Sequence, residues 1–344
     1  MNVHNQNRSS ENNISKSNVQ RTNYVSLSKP TITGFMSVDA KRHYHPDLSQ
    51  LKFLNSVING PTSLNLNHNI DAAIKRTTDN NNEKIDLLLR FIIDRKQLLM
   101  NHIDFITYRR TLISIMCSAF YIKEPITIEA CSYKDSIYLL SVESQEEIFR
   151  KRCRPKDVEK YCAWGYKFEQ FLLSDEPNLE PDIERPVIEN EEFSIFYKAS
   201  LRNLELLYGA QIDGLLTSMP TCQVPTTKDY DTNISYLESN HFVELKTNRE
   251  IYNFEQERNF KRYKLLKCWC QCYLANLKGL YVGYRNSLGI VQRLQWFYTE
   301  DISTYCKNEW NPQVAINYLH YFLTQIKNSF KVYNQKEPIT LKFY

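Results

Sequence analysis

The segments Gly209-Ala-Gln211-Ile-Asp213 and Glu244-Leu-Lys246 decide the fold class and the chemistry that this chain can carry. Both lie in stretches typical of β-strands, in which side chains two positions apart point to the same face. Gln211 therefore shares a face with Asp213, and Glu244 shares a face with Lys246. If the two strands are neighbours, these polar groups converge on one patch.

Around these two segments, the sequence predicts an α+β domain. Strands are predicted from aromatic and β-branched runs, at Glu192–Ala199, Leu204–Asp213, His241–Thr247, Gly279–Arg285 and Gly289–Phe297. Helices are predicted from apolar residues at helical spacing, at Glu83–Met100, Thr107–Phe120, Asp157–Leu173, Asn253–Leu277 and Asn311–Phe330. The polar, proline-containing stretch Thr217–Tyr236 is interpreted as an irregular loop. Helices precede a mixture of strands and helices, which predicts a single domain with central mixed β-sheets flanked by helices.

Composition limits the classes of protein to which the chain can belong. Residues 1–23 carry few apolar side chains and are predicted to form a disordered tail before a domain at 24–344. No apolar run is long enough for a transmembrane helix, and the polar N-terminus does not resemble a secretory signal. The nine scattered cysteines indicate a reducing compartment rather than a disulfide scaffold. The net charge of +4 is too small to indicate nucleic-acid binding by itself.

The paired segments carry the ligands that a hard divalent cation prefers. Mg²⁺ binds carboxylate and amide oxygens and keeps waters and substrate phosphate in its remaining positions. A lysine beside the carboxylates can orient or deprotonate an attacking water, or neutralise charge that builds on the phosphate. An acidic residue followed by Glu-x-Lys is the general arrangement of PD-(D/E)xK phosphodiesterases. Glu-x-Lys is also common on exposed strands, so the spacing alone is a weak signal.

Three further segments strengthen the hypothesis of a nuclease. Gly165-Tyr-Lys-Phe-Glu169 places another carboxylate on a predicted helix, and Thr107-Tyr-Arg109-Arg110 places arginines at a helix start, where free backbone N–H groups can bind phosphate. Gln271 follows on the long predicted helix. Lys261, Arg262, Lys264 and Lys267 of the same helix are interpreted as a solvated charged face.

Taken together, these segments resemble the DXO family of decapping nucleases. The family motifs G-Y-K-F-E and E-L-K are intact at Gly165–Glu169 and Glu244–Lys246. The motif G-x-E-x-D corresponds to Gly209–Asp213, and the T-W-R-G motif corresponds to Thr107–Arg110. The resemblance extends from about Tyr24 to Phe297, which is most of the chain.

The resemblance implies a role for each site residue. It implies Mg²⁺ or Mn²⁺, in the form of two ions, held by Glu169, Gln211, Asp213, Glu244 and the carbonyl of Leu245. Glu244, Lys246 and Gln271 form the implied catalytic set, in which the last two position water and the scissile phosphate. The implied substrate-binding residues are Arg42, Glu83, Tyr108, Arg109, Arg110, Ser194, Gln211, Lys246 and Gln271.

The resemblance also implies a function. The expected reaction is hydrolysis at RNA 5′ ends: removal of incomplete or non-canonical caps, including NAD caps, release of pyrophosphate from 5′-triphosphates, or 5′→3′ degradation in RNA quality control. A 5′→3′ exoribonuclease is an expected partner, and the nucleus is the expected location, with the cytoplasm as the alternative. No membrane association is expected.

This chain departs from the family pattern at three positions. Gln211 stands where the family has a glutamate, so the site brings one negative charge fewer and should bind Mg²⁺ more weakly. Tyr108 and Arg110 replace the tryptophan and glycine of the first motif. A second reading is therefore a weakened enzyme that acts as an RNA-binding subunit stabilising an exoribonuclease. A third reading, a DNA nuclease of the wider PD-(D/E)xK group, also stays open.

Overall fold

Strands and helices alternate along the part of the chain that the computed structural model describes, which comprises residues 11–12, 24–76, 84–100, 102–121, 126–153, 156–217, 223–331 and 338–344. Its strands are β1 Glu11–Asn12, β2 Thr31–Val38, β3 Tyr44–His45, β4 Phe53–Leu54, β5 Gly60–Asn65, β6 Phe105–Tyr108, β7 Thr127–Tyr133, β8 Ser136–Val142, β9 Glu192–Leu201, β10 Leu204–Gln211, β11 Gly214–Leu216, β12 His241–Arg249, β13 Gly279–Arg285, β14 Ile290–Tyr298 and β15 Ile339–Phe343. Its α-helices are α1 Asp86–Asp94, α2 Arg109–Ser118, α3 Gln145–Arg152, α4 Lys156–Leu172, α5 Tyr230–Glu238, α6 Phe254–Asn259, α7 Leu266–Leu274, α8 Thr299–Tyr305 and α9 Pro312–Phe330.

The strands form two mixed sheets that meet where β10 ends. In the larger sheet the strand order is β1-β15-β7-β8-β6-β10-β9-β2-β3, and in the smaller sheet it is β4-β11-β12-β13-β14-β5. The chain passes from one sheet to the other through Ile212 and Asp213, between β10 and β11. The α+β class with mixed sheets that the sequence predicts is therefore confirmed.

Helices cover both faces of the smaller sheet. Leu245 of β12 packs with Trp164 and Phe168 of α4, whereas Val282 of β13 belongs to the main core with the residues of α7. β13 is buried along its whole length because it lies inside the sheet and is covered on both faces. None of the helices in the described ranges has the length and apolar character needed to cross a membrane.

The predicted strands and the last helix agree with the structure within a few residues. The hairpin of β13 and β14 turns at Asn286, whose side-chain oxygen accepts hydrogen bonds from the backbone N–H groups of Leu288 and Ile290. The side chain of Asn311 caps the last helix by accepting from the N–H of Gln313, and Pro312 occupies the first turn.

Three predicted helices are wrong in their extent. The helix predicted at Glu83–Met100 ends at Asp94, and a 3₁₀ turn at Lys96–Met100 follows. The helix predicted from Thr107 begins at Arg109, because the preceding residues pair as β6 with β8 and β10. The long helix predicted from Asn253 consists of α6, a π-helical segment at Phe260–Leu265, and α7. Apolar periodicity does not distinguish α-, 3₁₀- and π-helical hydrogen bonding, since all three kinds of helix present one face to the core.

The loop predicted at Thr217–Tyr236 is wrong in its second half. Helix α5 begins at Tyr230, and the carboxylate of Asp229 caps it by accepting from the N–H of Thr232. Residues 218–222 of the predicted loop lie outside the described residues. The disordered tail predicted at 1–23 also lies almost entirely outside them and stays a prediction.

Asp104, just before β6, ties the larger sheet to the last helix. Its carboxylate is buried, accepts from the backbone N–H of Glu205 at 2.9 Å, and binds the side chains of His102 and Lys327. Burial raises the pKa of Asp104, but the hydrogen bonds from Lys327 and Glu205 outweigh that effect and hold it below its ordinary value.

We expect Asp104→Asn to lower the free energy of unfolding by about 2 kcal/mol near neutral pH, the scale of hydrogen bonds to a charged group. A depressed folded-state pKa adds stability above the unfolded value of 3.8, and that stability disappears as the pH falls through the folded value. Urea unfolding of both proteins along a pH series checks this. A difference that persists unchanged into strong acid would contradict it.

Candidate active site

The metal-ligand candidates lie where the two sheets meet. Asp213 follows the end of β10, and β11, directly after it, pairs antiparallel with β12, with Gly214 opposite Val243. The neighbour of β12 is thus the short strand β11 rather than β10, which ends at Gln211. The predicted approach of the two segments nevertheless occurs, since Asp213 lies beside Leu245 and Lys246.

One ammonium group joins three of the predicted ligand oxygens. Lys246 Nζ lies 2.5 Å from Glu244 Oε1 and 3.2 Å from Asp213 Oδ2, and it donates to the carbonyl of Leu245 at 2.8 Å. The N–H of Leu245 donates to the same Asp213 Oδ2 at 2.8 Å. The backbone of β12 thereby holds the Asp213 carboxylate in place.

The Glu244 carboxylate is surrounded by donors and almost fully buried, with its side chain 2% exposed. Gln271 Nε2 of α7 donates to Glu244 Oε1 at 2.8 Å, and Arg109 Nη2 approaches Oε2 at 3.4 Å. The structure therefore brings Gln271 into contact with the predicted catalytic carboxylate, although the two are far apart in sequence.

Arg109 organises the backbone around the site. Its guanidinium donates to the carbonyl of Gln271 at 3.0 Å and to the carbonyl of Gln211 at 2.8 Å, in addition to its approach to Glu244. The side chain is only 7% exposed. The sequence predicts an RNA contact for Arg109, which stays a prediction. The structure adds a positioning role that no sequence pattern indicated.

The pKa values of the three site carboxylates shift in different directions: those of Glu169 and Asp213 are raised, and that of Glu244 is lowered. Burial and the nearby charges of Asp213 and Glu244 raise the pKa of Glu169 well above its usual range. Burial and Glu244 likewise raise the pKa of Asp213. For Glu244, burial is outweighed by Lys246 and Arg109, which lower its pKa. Although burial lowers the pKa of Lys246, Asp213, Glu244 and Glu169 together hold it well above its usual range.

These residues offer oxygen ligands that suit a divalent cation, but they do not form a complete coordination shell. Within the described residues, no three carboxylate, imidazole or thiol groups converge as a ready metal site. Oxygens of Asp213, Glu244 and Leu245 nevertheless all contact one positive charge, the ammonium of Lys246. A single cation can therefore reach all three, and hard oxygen donors are the ligands that Mg²⁺ and Mn²⁺ prefer.

The raised pKa values of Glu169 and Asp213 predict that divalent ions stabilise the protein more as the pH rises. An acid whose folded pKa is raised above its ordinary value, 4.5 or 3.8 here, loses its stabilising contribution as the pH rises through the folded value. A metal ion binds the deprotonated form and restores stability there, so we expect the increase in Tm with Mn²⁺ to grow along a pH series that rises from the ordinary value of 4.5. Differential scanning fluorimetry with Mn²⁺ or EDTA measures this, and an increase in Tm that is the same along the whole series would contradict it.

A cleft of about 760 Å³, counting space open to solvent, leads from these carboxylates to the surface. Glu169 and Tyr166 of α4 line it together with Gln211 and Asp213. The Gln211 side chain is exposed into this region while its backbone carbonyl is held by Arg109. The predicted ligand positions 169, 211 and 213 therefore border one cavity.

The remaining predicted substrate-binding residues differ in their exposure and in their surroundings. Ser194 is buried opposite Gln211 in the pairing of β9 with β10, and Tyr108 packs against a neighbouring core cluster. Arg110 points to solvent, with its side chain 78% exposed and Glu143 at 3.8 Å. Glu83 lies outside the described residues, so its predicted role stays a prediction.

Glu192 lines the cleft and was not predicted from the sequence. Its carboxylate accepts from Arg42 at 2.8 Å and lies 3.4 Å from the Ser194 hydroxyl. Arg42 adopts a left-handed backbone conformation with φ of 65° and also donates to the carbonyl of Asn190. The two-residue spacing of Glu192 and Ser194 on one strand was an available signal, since it places both on the same face.

The chain resembles known proteins along most of its length. Residues 28–344 match the model of the RAI1-like PD-(D/E)XK nuclease family. The decapping and exoribonuclease protein Rai1 of Drosophila melanogaster is 29% identical over 322 residues, which cover 89% of this chain and 82% of that protein.

Solved structures show the same fold. Candida albicans Rai1, in complex with pU5 and Mn²⁺, superposes with a TM-score of 0.78 at 21% identity, covering 94% of this chain and 88% of that chain. Scheffersomyces stipitis Rai1, in complex with (3′-NADP)⁺ and a calcium ion, has a TM-score of 0.75 at 17% identity, with coverage of 93% and 86%. With the family match over residues 28–344, the fold and the carboxylate–lysine site identify the chain as a member of the RAI1-like PD-(D/E)XK nuclease family.

Proposed function

We propose that this protein is a metal-dependent hydrolase that cleaves phosphorus–oxygen bonds at RNA 5′ ends. The observation that carries the proposal is the convergence of Asp213, Glu244 and the Leu245 carbonyl on one cationic centre at the end of the cleft. The name of the Drosophila relative, a decapping and exoribonuclease protein, supports this substrate class.

The side chains divide the work of such a hydrolysis. A bound Mg²⁺ or Mn²⁺, in the form of two ions, would supply Lewis acidity toward a phosphoryl oxygen and lower the pKa of a bound water. Glu169, Gln211, Asp213 and Glu244 would hold the metal, together with the Leu245 carbonyl. With its raised pKa, Lys246 stays charged, which favours orienting the phosphate and neutralising its developing charge over deprotonating water.

The charges that line the cleft, together with the ligands of related structures, suggest which RNA 5′ ends the protein accepts. It is lined by cations and carboxylates together, including the ion-paired set Lys52, Asp175 and Arg185. The complexes of Candida albicans Rai1 with pU5 and of Scheffersomyces stipitis Rai1 with (3′-NADP)⁺ make phosphorylated and NAD-capped RNA ends the first candidates. Incompletely methylated caps and 5′-triphosphates belong to the same proposal, as does a nuclear role in RNA quality control.

A substrate panel tests the proposal. Purified protein is incubated with Mg²⁺, Mn²⁺ or EDTA and with RNAs that bear a triphosphate, an unmethylated cap, a methylated cap, NAD or a monophosphate, together with DNA of the same sequence. We expect metal-dependent cleavage of at least one RNA, which EDTA abolishes. Intact RNA in every reaction would overturn the proposal, and preferential cleavage of the DNA would favour the DNA-nuclease reading.

We expect Gln211→Glu to tighten metal binding by roughly tenfold and to raise the rate at limiting Mg²⁺, because it returns a negative charge to the wall shared by Glu169 and Asp213. The side chain is exposed to the cleft, so the change creates no buried charge. A Mg²⁺ titration of RNA hydrolysis measures this, with Gln292→Glu, at an exposed glutamine of β14, as the matched control. An unchanged half-saturating Mg²⁺ concentration would count against Gln211 as a ligand.

Gln211 also favours a second candidate function, in which a weakened enzyme acts mainly by binding RNA and stabilising a 5′→3′ exoribonuclease. Large apolar side chains after β12 are available for such a contact, with Tyr252 72% and Phe254 79% exposed. The thermal half-life of a purified exoribonuclease with and without this protein tests it. Protection that survives in Glu244→Gln but not in Tyr252→Ser would support this candidate.

A further inference from the structure

The wall of the cleft that α4 forms carries an aromatic ring to which the hydrolysis described above gives no role. Tyr166 lies three residues before Glu169 on this helix and borders the same cleft as the metal-ligand candidates. Residues three apart on a helix are neighbours on its surface, with Cβ atoms about 5–6 Å apart. The ring of Tyr166 therefore lies beside the proposed metal position, within reach of a nucleotide whose phosphate binds there.

The ring of Tyr166 is half-buried and has no partner within the part of the chain that the structure describes. There it stacks on no other ring, no cation lies over it, and its hydroxyl forms no hydrogen bond. Tyr161 of the same helix, in contrast, contacts the ring of Trp164 and the guanidinium of Arg285. Phe193, the other aromatic residue that borders the cleft, is only 2% exposed. Tyr166 therefore offers the cleft an aromatic surface that a planar ligand can contact.

The charge state of Tyr166 suits a nucleobase better than a phosphate. Burial, followed by the charges of Glu169 and Glu189, raises the pKa of the Tyr166 hydroxyl to about 12, against a weaker opposing effect of Arg76. The side chain is therefore neutral at physiological pH. A neutral phenol carries no positive charge for a phosphate, but its ring gives a nucleobase a surface on which to stack.

A short apolar segment, residues 186–188, borders the same cleft with a proline, a valine and an isoleucine. The start of this segment is tied to α4, because the side chain of Gln170 donates to the carbonyl of Arg185 at 2.9 Å. Its end is fixed by a parallel β-bridge between Ile188 and Ile74. The cleft therefore offers a planar ligand apolar side chains in addition to the tyrosine ring, on a segment that hydrogen bonds hold in place.

We propose that Tyr166 and residues 186–188 form a nucleobase site, in which the first base of the RNA stacks on the tyrosine ring while its 5′-phosphate lies at the metal position. Single-stranded RNA is commonly held by stacking of its bases on aromatic side chains, and this contact accepts every base. Tyr166 would thus select for the presence of a base on the 5′-terminal nucleotide rather than for a sequence. The site rests on the proposed function, since it assumes that an RNA 5′ end occupies the cleft.

Binding of an ordinary and an abasic RNA tests the proposal. The full chain carrying Glu244→Gln, which slows cleavage, is titrated at a fixed Mg²⁺ concentration by fluorescence anisotropy. One ligand is a short 5′-phosphorylated oligouridylate labelled at its 3′ end, and the other is the same RNA without its first base. We expect the loss of that base to weaken binding by about tenfold, the scale of one stacked base. Equal affinity for the two RNAs would overturn the site without the need for a variant of Tyr166.

Three variants of the same protein assign the contact to Tyr166. Tyr166→Leu should weaken binding of the ordinary RNA by about tenfold and leave binding of the abasic RNA unchanged, because the abasic RNA has no base for the ring to contact. Tyr166→Phe keeps the ring and should bind both RNAs as the parent protein does. Tyr133→Leu is the matched control, since it removes an exposed tyrosine of β7 that does not border the cleft, and it should change neither affinity.

The two ligands separate a stacking role of Tyr166 from a structural one. An equal loss of affinity for both RNAs in Tyr166→Leu would mean that the tyrosine only shapes α4, and this result would overturn the nucleobase site. Parent-like binding of both RNAs by Tyr166→Leu would overturn it as well. Either result would leave the proposed function standing, because that function rests on metal-dependent cleavage by the wild-type chain. Failure of the wild-type chain to cleave any RNA would overturn both.

Discussion

Replacing Glu244 by glutamine is expected to lower the rate of RNA hydrolysis by roughly 10³-fold, the equivalent of about 4 kcal/mol of transition-state stabilisation. Glu244 is the carboxylate whose pKa is lowered, so it carries a full negative charge in the cluster of acids around Lys246. A neutral amide of the same size keeps the hydrogen-bonding shape but offers the metal no charge. It also leaves the charges of Lys246 and Arg109 without their common partner.

The measurement is the initial rate at saturating Mg²⁺ on whichever RNA the wild-type protein cleaves fastest. Glu238→Gln is the matched control, since it neutralises an exposed carboxylate on α5, and its rate should stay at the wild-type level. Circular dichroism checks that the Glu244→Gln protein is folded. A folded Glu244→Gln protein with nearly full activity would show that the reaction takes place elsewhere on the molecule.

The strand segments of the site could be predicted from sequence because their signal is local. The alternation of Gln211 with Asp213, and of Glu244 with Lys246, follows from the two-residue period of a strand. The apolar residues that alternate with them, such as Val243 and Leu245, are expected in the core, and both are buried there. Family resemblance then connected these strands with Glu169 and Gln271, which no spacing rule joins.

The contacts that complete the site could not be predicted, because they depend on tertiary packing. Arg109 reaches the carbonyls of Gln211 and Gln271 because α2, which carries Arg109, packs against α7, which carries Gln271. Lys264 turns toward β12 within a π-helical segment that the sequence predicts as ordinary helix. Such segments are frequent at functional sites, where one extra residue in a turn redirects the side chains that follow.

Replacing Arg109 by methionine is expected to destabilise the protein by about 3–5 kcal/mol, the range found when one partner of a buried ion pair is removed. Methionine fills much of the space but leaves the carbonyls of Gln211 and Gln271 without their donor and Glu244 with less compensating charge. At a temperature where the variant is folded, we also expect at least a 10²-fold loss of hydrolysis, because the ligand set loses its fixed geometry. Urea unfolding and single-turnover cleavage measure the two effects separately.

Two comparisons decide whether Arg109 acts by positioning the site. Arg110→Gln, at the next residue, removes an exposed arginine and should change stability by no more than about 0.5 kcal/mol. Arg109→Lys keeps the charge but not the planar fork that donates to several acceptors at once, so it should recover part of the stability and little of the rate. If Arg109→Lys restored the full rate, the positive charge alone would be sufficient, and the backbone contacts would have no part in positioning Glu244. If Arg109→Met retained wild-type stability, the guanidinium would not hold the two chain segments together, and the RNA contact predicted from the sequence would become its main role.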